Sequence, residues 1–321
     1  MTDIDTGLDA VTFGEAMTMF VARESGPLHR AATFGRATAG AETNVATGLA
    51  RLGHRSGWVG RLGDDPLGLF VEEELRGCGI DLSRVEIDDT APTGFQLKSR
   101  ADGGDPEVVY FRRGSAGSRL AWSEPMGTYV SSARHLHLTG IPLAISESAR
   151  DFAFQAVAAA RAGRASVSFD PNLRPSLWAS EQEMVAVVNE VAALADWVLP
   201  GVEEGRVLTG HGDPARIAEH YLAAGVARVV VKNGCHGAVA FGPDGAVRQP
   251  AFQVEVVDTV GAGDGFAAGL ISAHLDGLEL GPALERAAAV GALATTSTGD
   301  KDGLPDREQL DHFLATSSVA A

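Results

Sequence analysis

The chain has 321 residues, 45% of them hydrophobic, and a formal net charge of −16, which gives material for one large or two modest domains around a substantial core. That charge excludes a general nucleic-acid or membrane-binding surface, because both partners are themselves negative. Two cysteines, Cys78 and Cys235, are too few and too far apart for a disulfide framework or a metal cluster and point to a reducing cytoplasm.

In chain order, the first residues are acidic and polar where a secretory leader would be basic and then apolar, and no later run reaches membrane-spanning length. Short β-type runs then alternate with helical ones: Ala10-Val-Thr-Phe-Gly, a helix from Asn44 to Leu52, Gly57-Trp-Val-Gly, and a helix from Leu67 to Arg76. The alternation resumes with Leu136-His-Leu, a helix from Ser148 to Arg161, Ala165-Ser-Val-Ser-Phe, a helix from Glu181 to Leu194, and Trp197-Val-Leu. The strand Arg228-Val-Val-Val-Lys and helices near Phe266 to Leu275 and Ala283 to Thr295 complete it, and Thr316 to Ala321 reads as a frayed tail. Such alternation predicts a parallel α/β sheet with its ligands at the carboxyl ends of the strands. Two segments break the pattern. Met17 to Ala22 and Thr93 to Tyr110 read as β-rich, with turns at Gly94 and Ala101-Asp-Gly-Gly and no helix between. They form either a small separate sheet or an edge extension of the main one. His135 and His137 alternate with leucines and read as packed strand residues.

The most informative string is Asp258-Thr-Val-Gly-Ala-Gly-Asp264-Gly-Phe266. Phe266, Leu270, Ile271, Ala273 and Leu275 recur as on an amphipathic helix ending near Gly277, so Gly261, Ala262 and Gly263 fall at its first turn. First-turn amides lack intrahelical acceptors and the helix dipole favours anions there, while small residues let a phosphate approach the backbone. Asp264 is the odd residue in an anion site. It is either a first-turn capping acid or a general base that takes the proton of an attacking alcohol. Other nucleotide folds fail on residues: the only lysines, Lys98, Lys232 and Lys301, never follow glycine as a Walker loop requires, and neither His-Arg-Asp nor Asp-Phe-Gly occurs. The remaining positive charge is arginine, which suits bidentate capture of carboxylate or phosphate, although a GC-rich genome produces the same bias.

With these strings in place the chain resembles the ribokinase-like, or PfkB, carbohydrate kinases over nearly its whole length. One signature runs from Asp258 to Ile271; the other is Ala39-Gly40-Ala41-Glu42-Thr43-Asn44-Val45-Ala46 with Leu52-Gly53 and Gly63. The resemblance implies one kinase domain over 1–321, a doubly wound, mostly parallel α/β sheet carrying a small β-sheet lid from about 15–38 and 92–117. It implies ATP and magnesium as cosubstrates, a monovalent cation as a further option, and a homo-oligomer such as a dimer through lid contacts. Asp264 then matches the catalytic base, with Gly261, Ala262, Gly263 and Asp264 forming the anion hole.

Gly26-Pro-Leu, Gly40-Ala-Glu-x-Asn, Tyr110-Phe-Arg-Arg-Gly-Ser-Ala-Gly-Ser118 and Asp170-Pro-Asn-Leu-Arg-Pro-Ser-Leu-Trp178 make it most similar to kinases of 2-keto-3-deoxygluconate acting at the 6-hydroxyl. A keto-deoxy acid needs donors for its carboxylate, and Tyr110, Arg112 and Arg174 supply them. The resemblance places Gly40, Asn44 and Asp300 on the sugar, and Asn172, Arg174, Lys232, Asn233, Gly234 and Gly237 on the nucleotide side. Glu204 holds the glutamate place of a magnesium motif that works through water, with Gly201 where asparagine is usual. Fructokinase-, ribokinase- and nucleoside-kinase-type activities of the same family are the alternatives, followed by a non-catalytic sugar-binding role.

Overall fold

The computed structural model describes residues 7–100, 106–243 and 245–317; the expected turn at 101–104 and the end of the tail lie outside them. The described strands are β1 (Ala10–Phe13), β2 (Met17–Ser25), β3 (Phe34–Ala39), β4 (Ser56–Gly63), β5 (Val85–Asp88), β6 (Phe95–Arg100) and β7 (Val108–Phe111). They continue with β8 (His135–Thr139), β9 (Ser166–Asp170), β10 (Trp197–Val198), β11 (Arg228–Lys232), β12 (Ala238–Gly242) and β13 (Gly245–Gln249).

Nine of them form the main sheet in the order β13-β12-β11-β10-β9-β8-β1-β4-β5. The pairs from β11 through β5 are parallel and β12 and β13 add an antiparallel edge. Strand side chains alternate between two cores: Val229 and Val231 join Phe13, Phe152 and Phe169 on one face, while Val230 joins Leu49, Leu199 and Ile271 on the other. Both faces are therefore covered by helices, which explains the continuous apolar runs. The chain moves outward from β1 to β4 and β5, then returns to β8 beside β1 and runs the other way. This reversal opens a crevice at the carboxyl ends of the strands, where Glu15, Thr139, Asp170 and Lys232 sit.

β2, β3, β6 and β7 form a separate four-stranded sheet in the order β3-β2-β6-β7, with β2 antiparallel to β3 and parallel to β6. The edge-extension alternative is thus not the arrangement found. Because side chains alternate, Phe95 and Phe111 stack on one face at 4.6 Å while Gln96 and Lys98, buried, point to the other.

One helix differs from its expected character. The helix Ala262–Leu275 is buried nearly all round, with only His274 exposed in its later turns, rather than amphipathic. Its small residues cause this: a Cβ on Gly269 would lie 2.8 Å from Ala287 Cα and a Cβ on Gly48 2.7 Å from Ala268 Cβ. The helices Ala41–Arg51 and Leu280–Ala294 therefore approach it from both sides. A helix covered on both sides has no wet face to reveal. It ends as expected, with Leu278 N–H donating to Ala273 O and Gly277 at φ 74°. His135 and His137 are buried strand residues bonded to Ser166 and Ser168, and burial holds both rings well below the usual imidazole range. No described helix is long and apolar enough to cross a membrane.

Candidate active site

The crevice holds a cavity of about 560 Å³ between the main sheet and the small one. Its floor is the start of the helix Ala262–Leu275. Gly261 caps that helix at φ 84°, and a Cβ there would lie 2.2 Å from Asp300 O, so both conformation and contact demand glycine. Ala262 N–H turns back to Thr259 O, and Gly265 N–H begins the helical ladder at Gly261 O. The amides of Gly263 and Asp264 are left without an acceptor among the described residues. Two unpaired amides at the positive end of a buried helix are an anion site by geometry.

Asp264 stands at the edge of that site, 9% exposed. Burial pushes its carboxyl up to about 7; the bond from Asn44 opposes this, and Asp170, Glu42 and Asp300 add to it. Asn44 Nδ2 donates to its Oδ2 at 2.8 Å, which fixes the plane of the carboxylate. Asn44 is held by the first turn of the helix Ala41–Arg51, whose cap, Gly40, lies so close to Glu15 O that a Cβ would reach 2.8 Å. The Oδ1 of Asn44 is buried with no partner, an acceptor waiting for a donor in the cavity. A poised base, an anion site and an unsatisfied acceptor in one place suit transfer of a phosphoryl group to a hydroxyl.

On the side expected from sequence to take the nucleotide, Asp170 at the end of β9 accepts from Lys232 Nζ at 2.5 Å. Lys232 in turn reaches towards the cradle, 3.5 Å from where a Gly263 Cβ would be. Burial opposes its charge, but Asp170 and Glu204 outweigh that and hold the ammonium above its usual range. Glu204 caps the helix Val202–Thr209: Oε2 accepts Gly201 N–H and Oε1 accepts Leu173 N–H, both at 2.8 Å. Burial, then the nearby Asp170, raise its carboxyl. Asn172 adopts a left-handed conformation, φ 38°, in the loop between Asp170 and Arg174. Asn233, Gly234 and Gly237 form a tight turn directly after Lys232, closed by Asn233 N–H to Gly237 O at 2.8 Å.

On the opposite wall, Tyr110 and Val108 of β7 and Gln96 and Lys98 of β6 present one face of the small sheet to the cavity. Arg112 projects into it and donates from Nε and Nη2 to Glu15 Oε2 at 2.7 and 2.5 Å. Ser115 Oγ holds the other oxygen of Glu15. Arg174 lines the wall and donates to Leu173 O at 2.9 Å. Glu42, fully buried, receives Thr139 Oγ1 at 2.5 Å, and burial pushes its carboxyl up to about 7. Asp300 is paired with Lys98 Nζ at 2.9 Å.

Of the residues expected from sequence, Gly40, Asn44, Tyr110, Arg112, Asn172, Arg174, Glu204, Lys232, Gly261, Gly263, Asp264 and Asp300 all line this one cavity. Ala262, Asn233, Gly234 and Gly237 lie outside its wall. Sequence reasoning missed Glu15, Glu42, Lys98 and Asp170 as site members. Lys98 had a signal: it is one of three lysines among 26 basic side chains. Glu15 had none, since a glutamate after a strand is ordinary until its partner, 97 residues away, is known.

Comparison with known proteins agrees with this geometry. The family model described as pfkB family carbohydrate kinase matches residues 8–307. A 2-dehydro-3-deoxygluconokinase of Bacillus subtilis (strain 168) is 49% identical over 310 residues, 96% of each chain. The crystal structure of a PfkB protein from Polaromonas sp. JS666 superposes with a TM-score of 0.88 at 47% identity, covering 95% of this chain and 99% of that one. A putative ribokinase II from E. coli, solved with ATP and Mg²⁺, gives 0.87 at 26% identity, covering 96% and 99%.

Proposed function

This chain belongs to the pfkB family of carbohydrate kinases, and from that premise we propose that its acceptor is 2-dehydro-3-deoxygluconate, phosphorylated at the terminal hydroxyl. As a sugar kinase it moves the γ-phosphoryl group of ATP to a sugar hydroxyl. The observation that carries the acceptor is the pair Tyr110 and Arg112 on the cavity wall, with Arg174 beside them, in a chain 49% identical to a kinase of that name. A guanidinium on the cavity wall, with donors beyond the two that hold Glu15, favours an acidic sugar over a neutral one.

In this reading the sugar hydroxyl lies between Asp264 and the Gly263 and Asp264 amides. Asp264 takes the hydroxyl proton as the oxygen bonds to the γ-phosphorus, the bond to the bridging oxygen breaks, and ADP leaves with that oxygen. The two free amides and Lys232 stabilise the charge on the phosphates. Asn44 orients Asp264, and its buried Oδ1 accepts from a second sugar hydroxyl. Asn172, Arg174 and the turn Asn233 to Gly237 flank the nucleotide. The small sheet, acting as a lid formed by residues of about 15–38 and 92–117, excludes water from the transfer.

No cluster of three or more metal-ligating side chains occurs among the described residues, and both Glu204 oxygens already hold backbone amides. These donors fit a magnesium ion that arrives with ATP and keeps its waters; Glu204 and Asp170 would hold it through them. When bound, it neutralises phosphate charge. A dimer through the small sheet fits the exposed Val109 and Phe111 of β7; sedimentation measures it.

The test is an ADP-release screen of the purified protein with 2-dehydro-3-deoxygluconate, its galactonate epimer, fructose, ribose and adenosine. The acidic sugars turn over with the highest kcat/KM. A preference for fructose, ribose or adenosine overturns the acceptor.

A further inference from the structure

Lys98 is 2% exposed, yet it belongs to β6 of the small sheet and not to the main domain. Its ammonium lies 2.6 Å from Asp258 Oδ2 and 2.9 Å from Asp300 Oδ1. Those carboxylates come from two different loops, and each loop is a wall of the phosphate cradle. Asp258 uses its other oxygen to accept Val260 N–H at 3.0 Å, the residue just before Gly261. Asp300 presses its backbone carbonyl against Gly261 so closely that a Cβ would sit 2.2 Å away. Without a cation between them, two carboxylates in a dry site repel each other. Burial and the neighbouring Asp258 already raise the Asp300 carboxyl, with Lys98 opposing.

We propose that Lys98 is a positioning residue for the phosphate cradle: the small sheet delivers a tethered ammonium that pins the loops on both sides of Gly261. The cradle then takes its working shape only when that sheet is seated on the main domain. Lys98 sits on the same strand face as Gln96, opposite Val108 and beside Tyr110, which line the acceptor cavity. Seating the acceptor and shaping the cradle are therefore coupled through one strand. The side-chain type fits the task. An ammonium offers three donors in divergent directions and reaches two carboxylates from separate loops, whereas a planar guanidinium matches one carboxylate edge. In a chain whose positive charge is otherwise almost all arginine, lysine stands where that geometry is needed.

The inference rests on the reading of Gly261 to Asp264 as the phosphate site, so its test uses a readout that needs no acceptor. Binding of ADP with magnesium to the full-length protein is measured by calorimetry for wild type and Lys98→Ala, alongside kcat and the acceptor KM. Lys98→Ala weakens ADP binding about tenfold and lowers kcat about a hundredfold, while the acceptor KM moves less than about threefold. Added ammonium or methylammonium restores at least about tenfold of the lost kcat, and tetramethylammonium, too large for the gap, restores none. A folded Lys98→Ala with unchanged ADP affinity overturns the proposal, as does a defect confined to the acceptor KM or one that no small ammonium relieves. Should Lys98→Ala fail to fold, Asp258→Asn decides. It keeps an acceptor for Val260 N–H and removes the charge that Lys98 grips, so ADP binding weakens by about threefold or more; unchanged ADP affinity in it overturns the proposal. A wild type that binds ADP but prefers a neutral sugar overturns the acceptor assignment alone.

Discussion

Two lysines lie near the same helix start, buried Lys98 and half-buried Lys232, and they differ in what holds them. Lys232 ends β11 of the main sheet, Asp170 ends β9, and Glu204 lies in the helix that follows β10, the strand between those two. This half of the site is therefore built by the core itself. Lys98 comes from the small sheet and grips Asp258 and Asp300 across the boundary between the two sheets. The same holds for Arg112, which reaches back to Glu15 at the end of the core strand β1. The Lys232 side of the cradle is thus fixed by one sheet, and in our reading its Asp258 and Asp300 side and the acceptor wall are assembled only where two sheets meet. A kinase divided in this way can hold one side of its phosphate cradle on a rigid floor and complete the rest, with its acceptor site, by seating a lid.

The largest expected effect removes what both halves share. Asp264→Asn keeps the shape and the Asn44 contact but cannot take a proton, so kcat falls by about 10²- to 10⁴-fold with KM nearly unchanged in steady-state assays. Next, Gly261→Ala strikes the cradle itself. A left-handed backbone costs a non-glycine residue about 1–2 kcal/mol even before the clash with Asp300 O, so ADP binding weakens by at least about tenfold. An Ala variant that binds ADP normally would show that the cradle yields. Arg112→Ala strikes the assembled half: kcat/KM for the acidic sugar drops by about ten- to a hundredfold and that for fructose moves far less. Equal losses on both sugars would make Arg112 structural.

A smaller effect concerns stability. Burial raises the Asp264 carboxyl from 3.8 to about 7, so the folded chain binds that proton more tightly than the unfolded chain. Stability from this group is full below the ordinary carboxylate range and declines as pH rises towards 7 and above. Asp264→Asn escapes the decline and melts at higher temperature than wild type at pH above about 7, with the gap closing on acidification. Equal melting temperatures throughout would mean that Asp264 is not desolvated.

The helix start was the more legible in sequence. Asp258 to Phe266 is one contiguous string, and a helix start, its amides and its first-turn acid follow from local rules. The strands and most helices were equally plain, because alternating apolar runs report a parallel sheet. The assembled half depends on pairings remote in the chain. Lys98 and Asp300 are 202 residues apart, and nothing near either residue announces the other. Arg112 was visible as a cation for an acidic sugar, but its Glu15 clamp was not. The helix Ala262–Leu275 misled for a related reason: glycine and alanine look neutral in a periodicity count and yet mark where neighbouring helices come closest.

The pH dependence of kcat/KM for the acceptor tests the central claim most directly, because it reports the ionisation of the base in the enzyme form that the acceptor meets. With saturating ATP, log kcat/KM rises with unit slope on the acid side and levels off with a midpoint near 7, where burial has moved Asp264. A profile flat across that range, or one whose acid limb breaks near 4 as an ordinary carboxylate would, contradicts a buried Asp264 as the group that takes the proton.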